Sequence, residues 1–375
     1  MSTAAIGLSS LLPEAAARVL DYAALNQGLV ALVSVGYAGE QGWAFRYALS
    51  FMNPALEVEH FVWLDSLPQD AASTSNWQEG NFRLSTGPGD LVAVTNKAGR
   101  CLWFDMSTRK LALVEERPGA GVSPAWDEQG RYLALSTDLD PARRHLRCGG
   151  LVRGKANAGA VPEDWEALPA FGAELLDLGL HHPWVHQVVA LGEGRWLVGI
   201  VTDGSVKSAY PSKSMPYRYV IVDGEGACVA RVDHAAASRS KPINVYANID
   251  EALFPAAYHP FYPMVRDRSR PRLLHKLLDQ LLVFDLDGQL RGQIDFGQKG
   301  LSGMRKLELR AVTSSGHAVF SSSAHATLWS IELGELADIP GQLAEGLKVY
   351  RKAHKALGGG RVGLHLLDGV STLMV

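Results

Sequence analysis

Three histidines lie close together and form the densest group of potential metal ligands in the chain. His181, His182 and His186 occur in the stretch HHPWVH. In an extended strand His182 and His186 would share a face, because side chains alternate with a period of two. Zinc takes three or four ligands, commonly completed by a carboxylate or thiolate. Only the tertiary structure could bring Asp177 or Asp203 to these histidines. Loop packing is therefore favoured over a metal site, and no cofactor is expected.

Two motifs of well-known enzyme classes are present only in part. Gly358, Gly360 and Gly363 match the letters GxGxxG. A dinucleotide-binding loop needs a strand before it and a helix after it, and the order predicted here is the reverse. The stretch from Gly300 to Met304 lacks the final glycine of the GxSxG nucleophile motif. With no constellation of catalytic spacing, the sequence leans against an enzyme but leaves catalysis undecided.

Two stretches combine basic and aromatic residues, as partner-binding surfaces do. They are residues 207–220, KSAYPSKSMPYRYV, and residues 258–276, YHPFYPMVRDRSRPRLLHK. Aromatic rings supply rigid contact area, and Arg makes bidentate bonds to carboxylates or phosphates. Solvated loops are the alternative interpretation of the same pattern. The candidate partner-binding residues are Tyr210, Lys213, Tyr217, Arg218, Tyr258, Phe261, Tyr262, Arg266, Arg268, Arg270 and Arg272.

The charge balance points to a protein partner rather than a nucleic acid. The 375 residues include 36 Lys plus Arg and 39 Asp plus Glu, for a formal net charge of −3. This balance is too even to hold a polyanion by bulk charge, and no nucleic-acid-binding module is recognisable. An acidic protein surface is the expected partner. A third basic stretch contains Arg143, Arg144, Arg147 and Arg153.

Composition also bears on the compartment. No apolar run approaches the roughly 18–20 residues of a membrane span. The first basic residue is Arg18, so the positively charged start of a secretory signal is missing. Cys101, Cys148 and Cys228 are too far apart for a CxxC metal pair and odd in number for a disulfide framework. We expect a cytoplasmic protein with no membrane contact, monomeric in isolation.

Short apolar strands that end in an acid recur along the chain. Several successive spacings lie near the roughly 40–45 residues of one propeller blade. An acid at a strand end usually accepts hydrogen bonds from the amides of the following turn, so these acids are predicted to be structural rather than catalytic. They are Asp65, Asp105, Asp177, Asp223, Asp285, Glu332 and Asp368.

The strand pattern around these acids favours four-stranded blades. The segments GDLVAVTN, CLWFDM and RKLALVEE follow one another with short turns between them, as in an antiparallel meander. On these segments the chain resembles the WD40-like or YVTN-like β-propeller superfamily over roughly residues 28–375, at the level of architecture. The resemblance implies an all-β fold with a single propeller. Seven blades are preferred, six are the alternative, and a few short helical insertions are expected.

Three segments are predicted to be helical. They are residues 12–25, residues 162–168 and residues 340–357. The implied organisation is an N-terminal helical segment, 1–27, followed by a β-propeller, 28–375. The last residues, RVGLHLLDGVSTLMV, are strand-like. Pairing of this segment with an N-terminal strand would remove the exposed edges of the outer strands.

Two functional hypotheses follow. The preferred one is a non-catalytic propeller, or scaffold, that binds a partner protein through a basic-aromatic loop face. The alternative is a propeller enzyme, a hydrolase or lyase, with a metal or polar site at its central tunnel. In that case His181, His182 and His186 are the best local candidates.

Overall fold

The computed structural model describes most of the strands and the main helix of the chain. The described residues are 5–6, 16–26, 28–39, 42–53, 57–64, 82–87, 91–96, 101–105, 110–114, 121–138, 147–155, 166–168, 171, 183–202, 217–233, 263–277, 279–322, 327–356, 363–367 and 370–374. Among these residues the secondary structure is β-strand almost throughout, with one long α-helix.

The strands are short and follow one another closely. The first are β1 (Ala5–Ile6), β2 (Ala16–Leu25), β3 (Gly28–Gly39), β4 (Gly42–Met52), β5 (Val58–Trp63), β6 (Phe82–Thr86), β7 (Leu91–Asn96), β8 (Cys101–Asp105) and β9 (Lys110–Val114). The next are β10 (Gly121–Trp126), β11 (Arg131–Asp138), β12 (Arg147–Lys155), β13 (Glu166–Ala167), β14 (Pro183–Gly192), β15 (Arg195–Thr202), β16 (Tyr217–Asp223) and β17 (Cys228–Arg231). The last are β18 (Met264–Asp267), β19 (Arg272–Lys276), β20 (Gln280–Asp285), β21 (Leu290–Asp295), β22 (Glu308–Val312), β23 (His317–Ser322), β24 (Thr327–Glu332), β25 (Gly363–Leu367) and β26 (Val370–Met374). A 3-10 helix spans Ser302–Lys306, and the α-helix, α1, spans Ile339–Ala356.

The strands form blade-like sheets in which consecutive strands are neighbours. The four-stranded sheets are β2–β5, β6–β9, β10–β13, β14–β17 and β18–β21. A further sheet has six strands in the order β1-β25-β26-β24-β23-β22. These meanders confirm the all-β fold of propeller type.

The number of blades differs from the expectation. Within the described residues five sheets have the four-stranded blade form, rather than the seven, or alternatively six, that the sequence suggests. One reason is that the acid-ended strand motif does not mark a new sheet each time. Strand β24, which ends at Glu332, and strand β25, which stops just before Asp368, belong to the same six-stranded sheet.

The chain divides into two compact units. Unit 1 comprises Met1–Glu79, Met264–Val283 and Gly292–Val375, and unit 2 comprises Gly80–Pro263 and Phe284–Arg291. In unit 1 the strand β22 contacts both β18 and β2, so edge strands of three sheets are neighbours. In unit 2 the edge strand β10 contacts the edge strands β6 and β14 in the same way. In each unit, therefore, adjacent sheets pack through edge strands.

Burial along the strands explains the sequence pattern. Strand β19 is buried at every residue, and strand β20 at all but its last. The outermost strand of another sheet, β17, alternates between half-buried and exposed residues. A strand covered on both faces needs a continuous apolar run, whereas an edge strand with one wet face alternates. Runs such as LLVF, residues 281–284, therefore mark central strands.

The N- and C-terminal strands pair with each other, as the sequence suggests. Ala5 pairs with His365 and Ile6 with Leu364, in antiparallel register between β1 and β25. Strand β26 joins this pair to β24. Both ends of the chain thus contribute to one sheet, and β1 covers part of an edge that β25 would otherwise expose.

Two of the three predicted helices are wrong where the structure describes them. Ala16–Leu25 is strand β2, paired along its length with β3, and Glu166–Ala167 is strand β13, paired with β12. Tertiary pairing overrides the helix propensity of AARVLDYAAL, because propensity differences are only tenths of a kcal/mol per residue. The boundary predicted at residue 27 falls inside the β2–β3 hairpin. The division of the chain into two domains at residue 27 stays a prediction.

The third helix is confirmed almost to the residue. Helix α1 runs from Ile339 to Ala356 and has proline at its second position, where a missing amide costs nothing. Leu343, Leu347 and Tyr350 form its buried face. A Cβ at Gly346 would lie 2.6 Å from Cζ2 of Trp329, so only glycine lets the helix approach the sheet this closely.

Replacing glycine with alanine is expected to change the free energy of unfolding in opposite directions in a turn and in the helix. Gly288 has a φ of +81°, and a Cβ there would lie 3.0 Å from Cα of Val232. Gly288→Ala is therefore expected to lower the free energy of unfolding by about 1–2 kcal/mol. Gly341, in the first turn of α1, has open space around it, and Gly341→Ala should stabilise by about 0.5–1 kcal/mol. Urea denaturation checks both values, and equal effects at the two sites would contradict this account.

Candidate functional site

The acids at strand ends close hairpin turns, as the sequence predicts. Oδ1 of Asp223 accepts the backbone amides of Glu225 and Ala227, at 2.9 and 3.0 Å. Oδ1 of Asp285 accepts the amides of Asp287 and Gln289, at 3.0 and 2.8 Å. An aspartate that accepts two turn amides is a structural element of the hairpin. For these two positions the structural interpretation of the repeated acids is confirmed.

The same turn recurs where the sequence offered no acid-ended motif. Oδ1 of Asp127 accepts the amides of Gln129 and Arg131, each at 2.9 Å. A glycine with positive φ occupies the fourth position of the turn: φ is +75° at Gly130, and +80° at Gly226 in the turn that begins at Asp223. Asp, two residues and Gly is therefore the local signal that organises these hairpins.

The arginines of the 258–276 stretch lie in or next to a turn that also begins at an aspartate but has no glycine in its fourth position. We call Met264–Lys276, which contains β18, β19 and their turn, the arginine hairpin. Oδ1 of Asp267 accepts the amide of Ser269 at 2.9 Å and its hydroxyl at 2.6 Å. Oδ2 of the same carboxylate accepts Nε of Arg272 at 2.7 Å. The side chain of Asp267 is fully buried and that of Arg272 is 9% exposed, so this ion pair is shielded from water.

Two arginines of the hairpin hold the segment that leads into α1. Arg272 donates from Nη1 to the carbonyl of Gly334 at 2.9 Å and from Nη2 to that of Leu333 at 3.3 Å. Arg270 donates from Nη1 to the carbonyl of Leu333 at 2.8 Å and pairs with Glu335 at 3.3 Å. Both guanidinium groups thus serve the fold, which sequence reasoning missed because their partners lie more than 60 residues away.

The other candidate residues fall into three groups. Arg268 is exposed at the tip of the arginine hairpin, and Arg266 is half-buried in β18. Tyr217 and Arg218 lie in β16, opposite Val201 and Ile200 of β15. The residues that lie outside the described part of the chain are Tyr210, Lys213, Tyr258, Phe261 and Tyr262.

A buried amine lies at the end of the arginine hairpin. Lys276 is 3% exposed, and its Nζ lies 5.5 Å from the centroid of the Phe296 ring. Burial lowers the pKa of Lys276 to about 8, although the carboxylates of Glu308 and Asp279 oppose the change. Near neutral pH the site must hold a charge that is largely removed from water.

Arginines also join neighbouring sheets of unit 2. Nε of Arg153, on β12, donates to Glu166 at 2.8 Å, and its Nη1 pairs with Glu225 in the turn of the next sheet. Arg195, on β15, pairs with Asp287 at 2.7 Å. Arg153 belongs to the third basic stretch of the sequence, and its charge is matched within the molecule.

Of the histidine cluster, His186 lies in β14, while His181 and His182 lie outside the described residues. Within the described ranges, no group of three His, Cys, Asp or Glu side chains is arranged to hold a metal ion. No helix in the described part of the chain is long and apolar enough to cross a membrane.

Comparison with known proteins finds likeness in structure alone. No family model matches the chain, and no curated protein sequence matches it. Among solved structures, the WD40 β-propeller domain of Doa1 has 8% identity and a TM-score of 0.40, over 82% of this chain and 90% of that one. The Myceliophteria thermophila Cps50 (Swd1) β-propeller domain has 11% identity and a TM-score of 0.41, over 84% and 82%. A Pyrococcus horikoshii acylaminoacyl peptidase has 12% identity and a TM-score of 0.41, over 86% and 46%. These values are too low to transfer an activity or a partner.

Proposed function

We propose that this protein is a non-catalytic interaction module that binds an acidic surface of a partner protein through its basic-aromatic loops. The contact residues of this proposal are Arg268 at the tip of the arginine hairpin, Arg266 beside it, and four residues of the 207–220 stretch, Tyr210, Lys213, Tyr217 and Arg218. Tyr258, Phe261 and Tyr262 precede the hairpin in sequence and would supply apolar contact area. Cytoplasmic location and a monomeric state in isolation belong to the same proposal.

The observation that supports this function best is the rigid support of the hairpin tip. Asp267 accepts three hydrogen bonds, two from Ser269 and one from Arg272, while Arg268, Ser269 and Pro271 are exposed. A turn that is ordered before binding loses little conformational entropy when a partner contacts it. The buried Asp267–Arg272 pair thus holds a polar, basic tip in one conformation.

Reversing one exposed charge tests this function. Arg268→Glu is expected to weaken capture of a partner from native cell extract about tenfold, because an interfacial arginine pairs with a carboxylate that the variant would repel. Its melting temperature should stay close to that of the wild type, since substitutions at exposed positions usually change stability by no more than about 0.5 kcal/mol. Quantitative mass spectrometry of captured proteins measures the effect. Raised salt should reproduce part of the loss.

Arg272 is not a suitable position for the same test. A charge reversal there would act on the buried pair with Asp267 and would confuse lost binding with lost folding. If Arg268→Glu and the wild type capture the same proteins in the same amounts, the hairpin tip is a solvated turn and the proposed contact is wrong.

A further inference from the structure

A second basic surface lies in unit 1, where the 3-10 helix packs beside α1. A Cβ at Gly303 would lie 2.9 Å from Nη2 of Arg351, so the guanidinium of α1 covers this glycine. A Cβ at Gly300 would lie 3.5 Å from Cβ of Ala344, which is also on α1. Leu301 is buried in the core beneath. The 3-10 helix and α1 therefore lie side by side at these two glycines.

This surface carries an excess of basic side chains. We call it the basic ridge, and its members are exposed and lie either on residues 299–306 or in the last two turns of α1. Among the described residues, none of them forms an ion pair with an acid. The members are Lys299, Arg305, Lys306, Arg351 and Lys352.

Two acids near the ridge, Asp295 and Glu345, form no ion pair with its members in the described structure. Oδ1 of Asp295 accepts the amide of Gly297 at 2.6 Å. Glu345 pairs with Lys348 at 2.7 Å, one turn before Arg351 on the helix. Several arginines elsewhere in the described structure, including Arg272 and Arg291, are paired with carboxylates. The ridge is therefore a local positive region on a chain whose formal net charge is −3.

Stabilisation of helix ends accounts for only part of this pattern. Arg305 and Lys306 lie in the last turn of the 3-10 helix, and Arg351 and Lys352 lie near the end of α1. A cation at a helix C-terminus gains about 0.3–1 kcal/mol from the macrodipole. Because Arg351 covers Gly303, its guanidinium lies within a few residues of Arg305 and Lys306 along the 3-10 helix. Like charges close together cost free energy that an anionic partner would recover.

The size and composition of the ridge favour one kind of occupant. Five residues of 3-10 helix span about 10 Å, and each strand residue spans about 3.3 Å, so the ridge matches a few residues of extended chain. Insertion into a membrane surface needs exposed apolar side chains. Among the described residues the exposed large hydrophobic side chain is that of Val229, which lies in unit 2 and not on the ridge. A short patch on a net acidic protein is also poorly suited to a nucleic acid, which gains affinity from many phosphate contacts.

We propose that the basic ridge binds a short acidic segment of a protein, with Arg305 and Arg351 making bidentate contacts to its carboxylates. Lys299, Lys306 and Lys352 contribute charge around them, as Lys does where geometry is less strict. This inference deepens the proposed function, since it gives the acidic partner a second docking site. It stands on contacts that do not involve the arginine hairpin.

Binding of a defined acidic peptide tests the ridge. The probe is a fluorescein-labelled peptide of Glu-Gly-Asp-Ser repeats, titrated with the full chain and followed by fluorescence anisotropy. We expect the double variant K306E/R351E to bind about tenfold more weakly than the wild type, which matches the loss of two exposed charge pairs and the added repulsion. The variant K306Q/R351Q removes both positive charges without adding negative ones, so it should perturb folding less. It should also bind the peptide more weakly than the wild type, but by a smaller factor than K306E/R351E. Arg291→Glu, at an exposed arginine that belongs to neither proposed surface, serves as the matched control and should bind like the wild type.

Each other outcome overturns the ridge as the site. Loss of peptide binding in Arg268→Glu but not in the ridge variants would place the acidic partner at the arginine hairpin and leave the proposed function intact. Equal binding by all variants, or no binding by the wild type, would reject the ridge. Tighter binding of a single-stranded oligonucleotide or of phosphatidylserine vesicles than of the peptide would show that the occupant is not a protein. Failure of the proposed function itself would appear separately, as unchanged capture from extract by Arg268→Glu.

Discussion

Replacing Arg272 with methionine is expected to lower the free energy of unfolding by about 3–5 kcal/mol. The variant keeps most of the side-chain volume but leaves the fully buried carboxylate of Asp267 without its cation. It also removes the donors to the carbonyls of Leu333 and Gly334. An unpaired buried charge costs far more than the net contribution of the ion pair, which is why removing one partner has such a large effect.

A matched control separates burial from pairing. Arg291 donates to Asp285 from Nε at 2.8 Å, nearly the distance between Arg272 and Asp267, but its side chain is 63% exposed. Arg291→Met is therefore expected to cost less than about 1 kcal/mol. Urea denaturation of both variants gives the comparison. Equal losses in the two variants would mean that the buried pair is not what holds the arginine hairpin.

The second large effect is a dependence of stability on pH through Lys276. Because burial lowers its pKa in the folded state to about 8, the folded protein holds fewer protons than the unfolded chain above that pH. Stability therefore rises with pH between about 8 and about 10, by roughly 1.4 kcal/mol per unit at most. Below about pH 8 both states are protonated, and the cost of the buried charge is fully present.

Substitution of this lysine isolates its contribution. Relative to Lys276→Met, the wild type should gain about 2–3 kcal/mol in the free energy of unfolding as the pH rises from about 7 to about 10. Other groups that titrate in this range are common to both proteins, so their contributions cancel in the comparison. Lys348→Met is the control, because its amine is exposed on α1. A difference between wild type and Lys276→Met that does not change with pH would contradict the buried charge.

The two predictions concern the same hairpin and bear on its function. Arg272 and Asp267 stabilise the turn from its buried side, and Lys276 is the last residue of β19. If Arg272→Met loses stability while Arg268→Glu loses only partner capture, support and contact are divided between neighbouring arginines. This division is what a preorganised binding turn requires.

The sequence by itself determined the class of the fold and the chemistry of its turns. Strand periodicity, Asp-Gly turns and acid-ended strands are local signals, because side-chain alternation and turn hydrogen bonds depend on residues a few positions apart. The same is true of α1, whose proline and apolar stripe lie within one segment. These elements were predicted correctly, whereas Ala16–Leu25 was not, because its pairing with β3 outweighs a weak helix propensity.

Only the tertiary structure decided what each basic residue does. Arg268 and Arg272 are four positions apart in one basic stretch, yet one is exposed and the other is buried against Asp267 and a segment more than 60 residues away. The basic ridge combines residues near 300 with residues near 350, and no pattern within either segment marks it. Charge pairing depends on distance in space and on burial, because Coulomb interactions grow as water is excluded, and neither quantity is encoded locally in the chain.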